Sequence, residues 1–260
     1  MYASYHTHTI RCNHAVGTDE EYVKSAIAEG VKLLGFSDHA PMPYPNGYES
    51  SYKMKPEVLS EYCSSLLYLK EKYADKIDIK IGLESEYYPS IWEKTLEYFR
   101  SYPLDFLIIG QHFIDGDMNP GEKSIFNKTE ERDTLSRYVD RVIEAMKTER
   151  FSYVAHPDAI NYIGKDGDFY KAEMRRLIET AKSLDMAVEF NLLGLSDARH
   201  YPNMLFWEEA SALGAKVILG CDSHSPSRVA NPAEIAAAMK IADKLSLNVV
   251  DRIELRNPLF

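Results

Sequence analysis

The chain has 260 residues, 45% hydrophobic and 27% charged, which suits one soluble α/β domain spanning 1–260. A net charge of −10 and a pI of about 5.3 argue against sequence-independent nucleic-acid binding, yet permit a small phosphorylated metabolite, because bound divalent cations reverse the potential locally. The three cysteines Cys12, Cys63 and Cys221, the polar start and the lack of any long apolar run argue against a disulfide framework, a secretion signal and a membrane span, so a cytoplasmic protein is expected.

In chain order, residues 3–7 read as the first strand. Thr18 followed by Glu21 resembles a capping box opening a helix with Tyr22, Ile27 and Val31 on one face. A strand at 32–37 leads into a long loop, 40–55, rich in Pro, Gly, Asn and Tyr. Pro56 suits a helix's first turn. Strands follow at 77–83 and 105–110, then a second long loop, 113–128. A strand at 152–155 precedes a helix carrying Met174, Leu177, Ile178 and Ala181 at three- and four-residue spacing. Strands at 186–190 and 216–220 complete the series. Seven alternations imply a parallel sheet flanked by helices, either a closed or nearly closed barrel or an open doubly wound sheet. In both, the active site lies beyond the strands' carboxyl ends, where the two long loops would form a rim or lid.

Seven of the eight histidines close a predicted strand or follow it: His6, His8, His14, His39, His112, His156 and His224. Random placement would scatter them over helices and outer loops too. The third strand supplies Glu84 and Glu86 instead, and the seventh adds Asp222. On a strand, His6 and His8 face the same side and can grip one ion. Each feature has a plainer alternative: incidental polar pairs, a helix cap at Asp222–His224, a lysine partner for Glu84, a buried bond for Asp38–His39. Their joint occurrence at successive strand ends points to one metal centre. Imidazole with carboxylate suits zinc, iron or manganese, and such sets are typical of hydrolases that keep positions open for water.

The motifs HTH at 6–8, GFSDHAP at 35–41, GLE at 82–84, GQHFIDG at 110–116, AHPD at 155–158 and GCDSH at 220–224 resemble the polymerase and histidinol phosphatase (PHP) family, its histidinol-phosphate phosphatase branch above all. The resemblance implies a distorted (β/α)7 barrel, TIM-barrel-like, with two to three divalent metal ions. One would be held by His6, His8, Glu84 and Asp222. A second would share Glu84 as bridge and add His112 and His156. A third would take His14, His39 and His224. Asp38 is expected to orient a neighbouring ligand. Glu86 is either a carboxylate behind a ligand or a substrate contact. Arg199, in the loop after the sixth strand, fits the position of a phosphate-binding arginine, and His200 beside it is a further candidate for substrate contact. The sequence departs from the branch after HPD, where a basic residue is common: Asn161 stands there, with Lys165 as the candidate replacement.

The expected reaction is hydrolysis of a phosphate monoester, L-histidinol phosphate above others, with Glu84, Asp222 and Arg199 as the catalytic residues. Asp222 or a histidine would protonate the leaving alkoxide. Glu86, Asp115 and Asp117 are expected as an acidic rim for the cationic substrate, and Tyr44, Tyr48, Tyr52, Phe113 and Tyr162 as stacking surfaces. The alternatives are a family phosphatase acting on phosphotyrosine or a nucleotide, a nuclease, which the acidic charge disfavours, or a non-catalytic metal-binding module. No pattern specifies an oligomeric state.

Overall fold

The computed structural model describes residues 1–45 and 47–259; position 46 of the predicted first loop lies outside them. One sheet holds β1 (Ala3–Ser4), β2 (Leu33–His39), β3 (Asp78–Ser85), β4 (Phe106–Ile109), β5 (Tyr153–Val154), β6 (Ala187–Asn191), β7 (Lys216–Gly220) and β8 (Asn248–Val249). Every adjacent pair is parallel, in sequential order. The helices between are α1 (Asp19–Ala28), α2 (Leu59–Lys72), α3 (Trp92–Phe99), α4 (Arg132–Lys147), α5 (Gly167–Ser183), α6 (Leu192–Ser196), α7 (Met204–Ala212) and α8 (Pro232–Leu245). Strands β4, β5 and β6 are buried at every residue, as expected for strands covered on both faces.

The seven predicted strands are all present, and β8 is an addition. At only two residues, it carries too little pattern to read from sequence. The barrel is curled and irregular at the seam between its first and seventh strands. At the top, Thr7 bridges to Ser223, with Ser223 O accepting from His8 N at 3.0 Å. At the base, β7 instead pairs with β8 through Lys216–Asn248 and Val217–Val249. The Tyr5 hydroxyl bonds the Ile253 backbone at 3.3 Å, so the C-terminal segment fills the lower gap. At this seam the first strand's regular pairing ends at Ser4 rather than at residue 7, with Thr7 making only the single bridge to Ser223.

Local chemistry matches the reading of the helix starts. Thr18 and Glu21 form a reciprocal capping box, satisfying two otherwise orphaned amides. Pro56 begins a 3-10 turn leading into α2. In α5, Tyr170, Met174, Leu177, Ile178 and Ala181 are buried, the stripe that presses the helix onto the sheet. At the carboxyl end of the sheet, register sets His39 directly beside Glu84. That end carries the chemistry.

Candidate metal centre

Glu84 sits at the middle of the barrel's carboxyl end, only 2% exposed. Its Oε1 lies 2.8 Å from His156 Nε2, and 3.6 Å from both His6 Nε2 and His112 Nε2. Its Oε2 lies 2.8 Å from His39 Nδ1 and 3.6 Å from His8 Nε2. Asp222 Oδ1 is 3.0 Å from His8 Nε2 and 3.6 Å from His6 Nε2. His14 and His224 meet through their Nε2 atoms at 2.9 Å. All nine residues expected as ligands therefore converge on one volume. They do not divide evenly: His14 and His224 touch each other, while His39 turns its Nδ1 to Glu84 and still has a donor atom within 4.8 Å of those of His8 and His224.

The glycines that end β7 and follow β4 explain how carboxylates fit between the strands. A Cβ at Gly110 would lie 2.0 Å from Glu84 Oε1, and one at Gly220 would lie 2.1 Å from Glu189 Cδ. Only hydrogen fits at either position.

The outward nitrogens of the imidazoles are anchored. His6 Nδ1 is 2.8 Å from Glu189 Oε2, His8 Nδ1 is 3.4 Å from Asp38 Oδ1, and His14 Nδ1 is 2.7 Å from the Cys12 carbonyl. His224 Nδ1 is 3.0 Å from the Asp222 carbonyl. Acceptors there favour the tautomer protonated on Nδ1 and aim an Nε2 lone pair inward. His6 Nε2, His8 Nε2 and Glu84 Oε2 are buried and make no well-aligned hydrogen bond among the described residues, although Asp222 Oδ1 stands 3.0 Å from His8 and His39 Nδ1 2.8 Å from Glu84. Buried polar atoms without well-aligned partners are costly, and His6, His8 and Glu84 each offer a donor atom within 4.8 Å of the others. The donor set fits divalent transition ions, whose bonds would satisfy all three.

The charges within the cluster act strongly on one another. Burial opposes a charge on His6, but Glu189, Asp222 and Glu84 outweigh it and push its pKa up to about 10. Burial opposes ionisation of Glu84, yet His112, His39 and His6 hold it well below the usual carboxylate range. Asp222 is likewise held down, against burial, by His6 and His8. Burial and His8 bring His224 down to about 3. The backbone is also strained here: His156 and Asp222 adopt φ of 28° and 49°, a region most side chains avoid and one found at sites the surrounding structure over-determines. Asn191 Nδ2 helps hold Asp222, donating to its Oδ2 at 3.1 Å.

Above the cluster opens a cavity of about 470 Å³. Its floor includes Glu84, His156 and Asp222, its aromatic wall Tyr52, Phe113 and Phe126, and its cationic wall Arg199 and Arg228. The two long loops supply the aromatic wall. Of the expected substrate residues, Arg199 lines the cavity. The other three do not. Glu86 is buried and engaged by Lys53, by the Tyr52 hydroxyl at 3.1 Å and by the His112 amide at 3.1 Å; it stands behind His112, and burial notwithstanding, Lys53 and His112 hold its pKa down to about 2. His200 directs Nε2 to the Ala159 carbonyl at 2.6 Å. Lys165 is exposed and outside the lining.

The expected acidic rim does not form either. Asp117 pairs with Lys53 at 2.9 Å and with the Tyr44 hydroxyl. Asp115 is bound by Arg137 and Arg141. Tyr44 is drawn into the Lys53 network and Tyr162 packs on Phe169 and Tyr170; Tyr48 lies outside the cavity lining, stacked edgewise on Tyr44. Sequence reading missed Glu189, Asn191, Phe126 and Arg228. Of these only Glu189 stands out in the sequence, as a carboxylate inside the apolar strand MAVEF, and its spacing does not say which face it takes.

The PHP domain model matches residues 4–193. A Deinococcus radiodurans protein named "Probable histidinol-phosphatase" is 29% identical over 232 residues, covering 86% of each chain. The "Histidinol-phosphatase" of Lactococcus lactis is 27% identical over 236 residues, covering 86% of this chain and 84% of its own. The crystal structure of the histidinol phosphate phosphatase from Lactococcus lactis, complexed with zinc, L-histidinol and phosphate, superposes with a TM-score of 0.74 at 21% identity, over 97% of this chain and 98% of that one, which establishes a shared fold. With the family model covering well over half its length, the chain belongs to the PHP domain family.

Proposed function

We propose that this chain is a divalent-metal-dependent phosphatase that hydrolyses L-histidinol phosphate to L-histidinol and phosphate in cytoplasmic histidine biosynthesis, the whole chain acting as one domain. The observation that carries this reading is the Glu84 carboxylate with nitrogens of five imidazoles within 3.6 Å, at the floor of a cavity walled by arginine on one side and aromatic rings on another. The relatives' names and the ligands of the Lactococcus lactis structure support the substrate.

His6, His8, Glu84 and Asp222 would hold one ion. Glu84 would bridge to a second, shared with His112 and His156, and His14, His39 and His224 would hold a third. Zinc, iron and manganese all suit these donors. Ions bound there supply Lewis acidity, making water more acidic and drawing charge from phosphate oxygens. The chain's own residues do the rest. Arg199 presents a planar fork to the phosphoryl oxygens. Tyr52, Phe113 and Phe126 offer π faces to the imidazole, and can take its protonated form by cation–π attraction. Leu193 and the aromatic wall give the cavity apolar sides, and an apolar surrounding strengthens each of these interactions.

The test is phosphate release from L-histidinol phosphate, compared with p-nitrophenyl phosphate, on metal-replete protein. A clear preference for the former supports the assignment. Slow, equal turnover of both would retain a phosphoesterase but reject the substrate. Glu84→Gln should lose bound metal and activity together; full activity in that variant would refute the bridge.

A further inference from the structure

Two guanidiniums line the cavity among the described residues, those of Arg199 and Arg228, and one carboxylate lies between them. Arg228, at the end of the 3-10 turn Pro226–Arg228 beyond β7, donates from Nη2 to Asp197 Oδ1 at 2.7 Å. Arg199 donates from Nη2 to Asp197 Oδ2 at 3.4 Å. Each oxygen of one carboxylate thus accepts from a different arginine. Both heads are steadied from behind: Arg199 Nη1 by the Tyr201 hydroxyl at 3.0 Å, Arg228 by Ser196 Oγ at 2.7 Å and Glu234 at 3.3 Å. The steadying contacts use Arg228 Nε and Nη2. Its Nη1 has no acceptor among the described residues, and neither has Arg199 Nε.

We infer that Arg199 and Arg228 form a two-armed clamp for the phosphoryl group, with Asp197 holding the arms apart as an internal anion until substrate arrives. This rests on the phosphatase reading above and specifies its anion site. Three features argue for it over a surface ion-pair role for Arg228. The arginine faces the same cavity as His14, His224 and Asp222. Its unused Nη1 donors suit an oxyanion with several acceptor oxygens. Neither residue where sequence reading sought a second cation supplies one: Asn161 donates to the Phe126 carbonyl at 3.0 Å, and Lys165 is exposed, outside the cavity lining. Arg228 thereby supplies the second positive arm that Asn161 does not.

The test is the affinity of inorganic phosphate for metal-loaded protein, measured by calorimetry and as competitive inhibition of p-nitrophenyl phosphate hydrolysis, for the wild type, Arg228→Gln, Arg228→Lys and Arg199→Gln. Losing a charged, bonded arm should weaken phosphate roughly tenfold to hundredfold, in Arg228→Gln as in Arg199→Gln, with KM rising in parallel and kcat less affected. Arg228→Lys should recover part of the loss, since charge survives but the fork does not. Asp197→Asn, which frees both arms, should tighten phosphate. Unchanged phosphate affinity in Arg228→Gln, with only a lowered thermal midpoint, would overturn the clamp and leave Arg228 as the tie between this turn and α8. Should Arg228→Gln not fold, unaltered phosphate affinity in Arg228→Lys and Asp197→Asn together would overturn it equally. None of these readouts uses histidinol phosphate, so the clamp stands or falls apart from the substrate assignment.

Discussion

Glu189 Oε2 lies 2.8 Å from His6 Nδ1, with both side chains fully buried. The other oxygen of Glu189 accepts from Asn191 Nδ2 at 2.7 Å, and that amide also reaches Asp222. One carboxylate on β6 therefore fixes the ring of one proposed ligand and, through Asn191, the oxygen of another. Glu189→Gln keeps the shape but presents one acceptor where two are required. Metal affinity should fall by roughly tenfold to a hundredfold, the usual effect of losing an orienting partner. Titration of the apo protein with zinc, followed by calorimetry, reads this directly. An affinity within twofold of wild type would show that Glu189 only balances charge.

Gly110 and Gly220 make a second prediction, steric rather than electrostatic. With a Cβ 2.0 Å from Glu84 Oε1, Gly110→Ala must displace the central carboxylate or β4 itself. Flexible tips can yield, but Glu84 is hemmed by five imidazoles in a close-packed interior. The variant should bind less metal per chain and lose nearly all phosphatase activity. Elemental analysis after gel filtration measures the stoichiometry. Full occupancy with normal turnover would mean that Glu84 has room the geometry denies.

The parts of this site legible in sequence were those tied to strand ends. His39, Glu84, His112, His156 and Asp222 each close or follow a strand, and strands around a barrel deliver their ends to one place. Glu189 was not found because it lies inside β6, where nothing in the spacing separates a carboxylate facing the centre from one facing a helix. The rim failed for a different reason. Asp115 and Asp117 were read by sign alone, but partners from distant segments, Arg141 and Lys53, neutralise them. Arg228 was invisible because a loop arginine acquires meaning only once the fold sets it beside Arg199. In the fold, β8 escaped because it is two residues long and owes its pairing to β7, not to its own pattern.

Lys53 shows what those partners are worth. Its side chain is 4% exposed, paired with Glu86 and Asp117 and donating to the Tyr44 hydroxyl at 2.8 Å. The three acceptors come from the residue just after β3 and from both long loops, so this one cation ties the two loops to the carboxyl end of β3. Lys53→Met leaves two carboxylates buried without a counter-charge. Breaking such a pair costs about 3–5 kcal/mol, so the thermal midpoint should fall by roughly 6–20 °C at this chain length. Adding Asp117→Asn should restore part of it. Scanning calorimetry on all three proteins checks the order; a midpoint unchanged in Lys53→Met would mean that water already compensates these charges.

The aromatic wall yields the prediction that bears most on specificity. Tyr52 and Phe113 stack at 6.1 Å and 26°, and Phe126 stacks on Tyr201 at 6.1 Å and 26°, so Phe113 and Phe126 each face a neighbouring ring where they line the cavity. With Glu86, Asp115 and Asp117 all engaged elsewhere, the proposed role of these rings is to meet the imidazole end of the substrate. An aromatic contact is worth about 0.5–1.5 kcal/mol beyond burial, and a desolvated cation–π contact about 2 kcal/mol. Phe113→Ala and Phe126→Ala should therefore each lower kcat/KM for L-histidinol phosphate by roughly threefold to thirtyfold. Glycerol phosphate, which has no ring to stack, should lose less than twofold. The ratio between the two esters is the informative number, because a general disturbance of the cavity would lower both alike. Equal losses would remove the rings from substrate recognition and return that role to groups nearer the metal ligands.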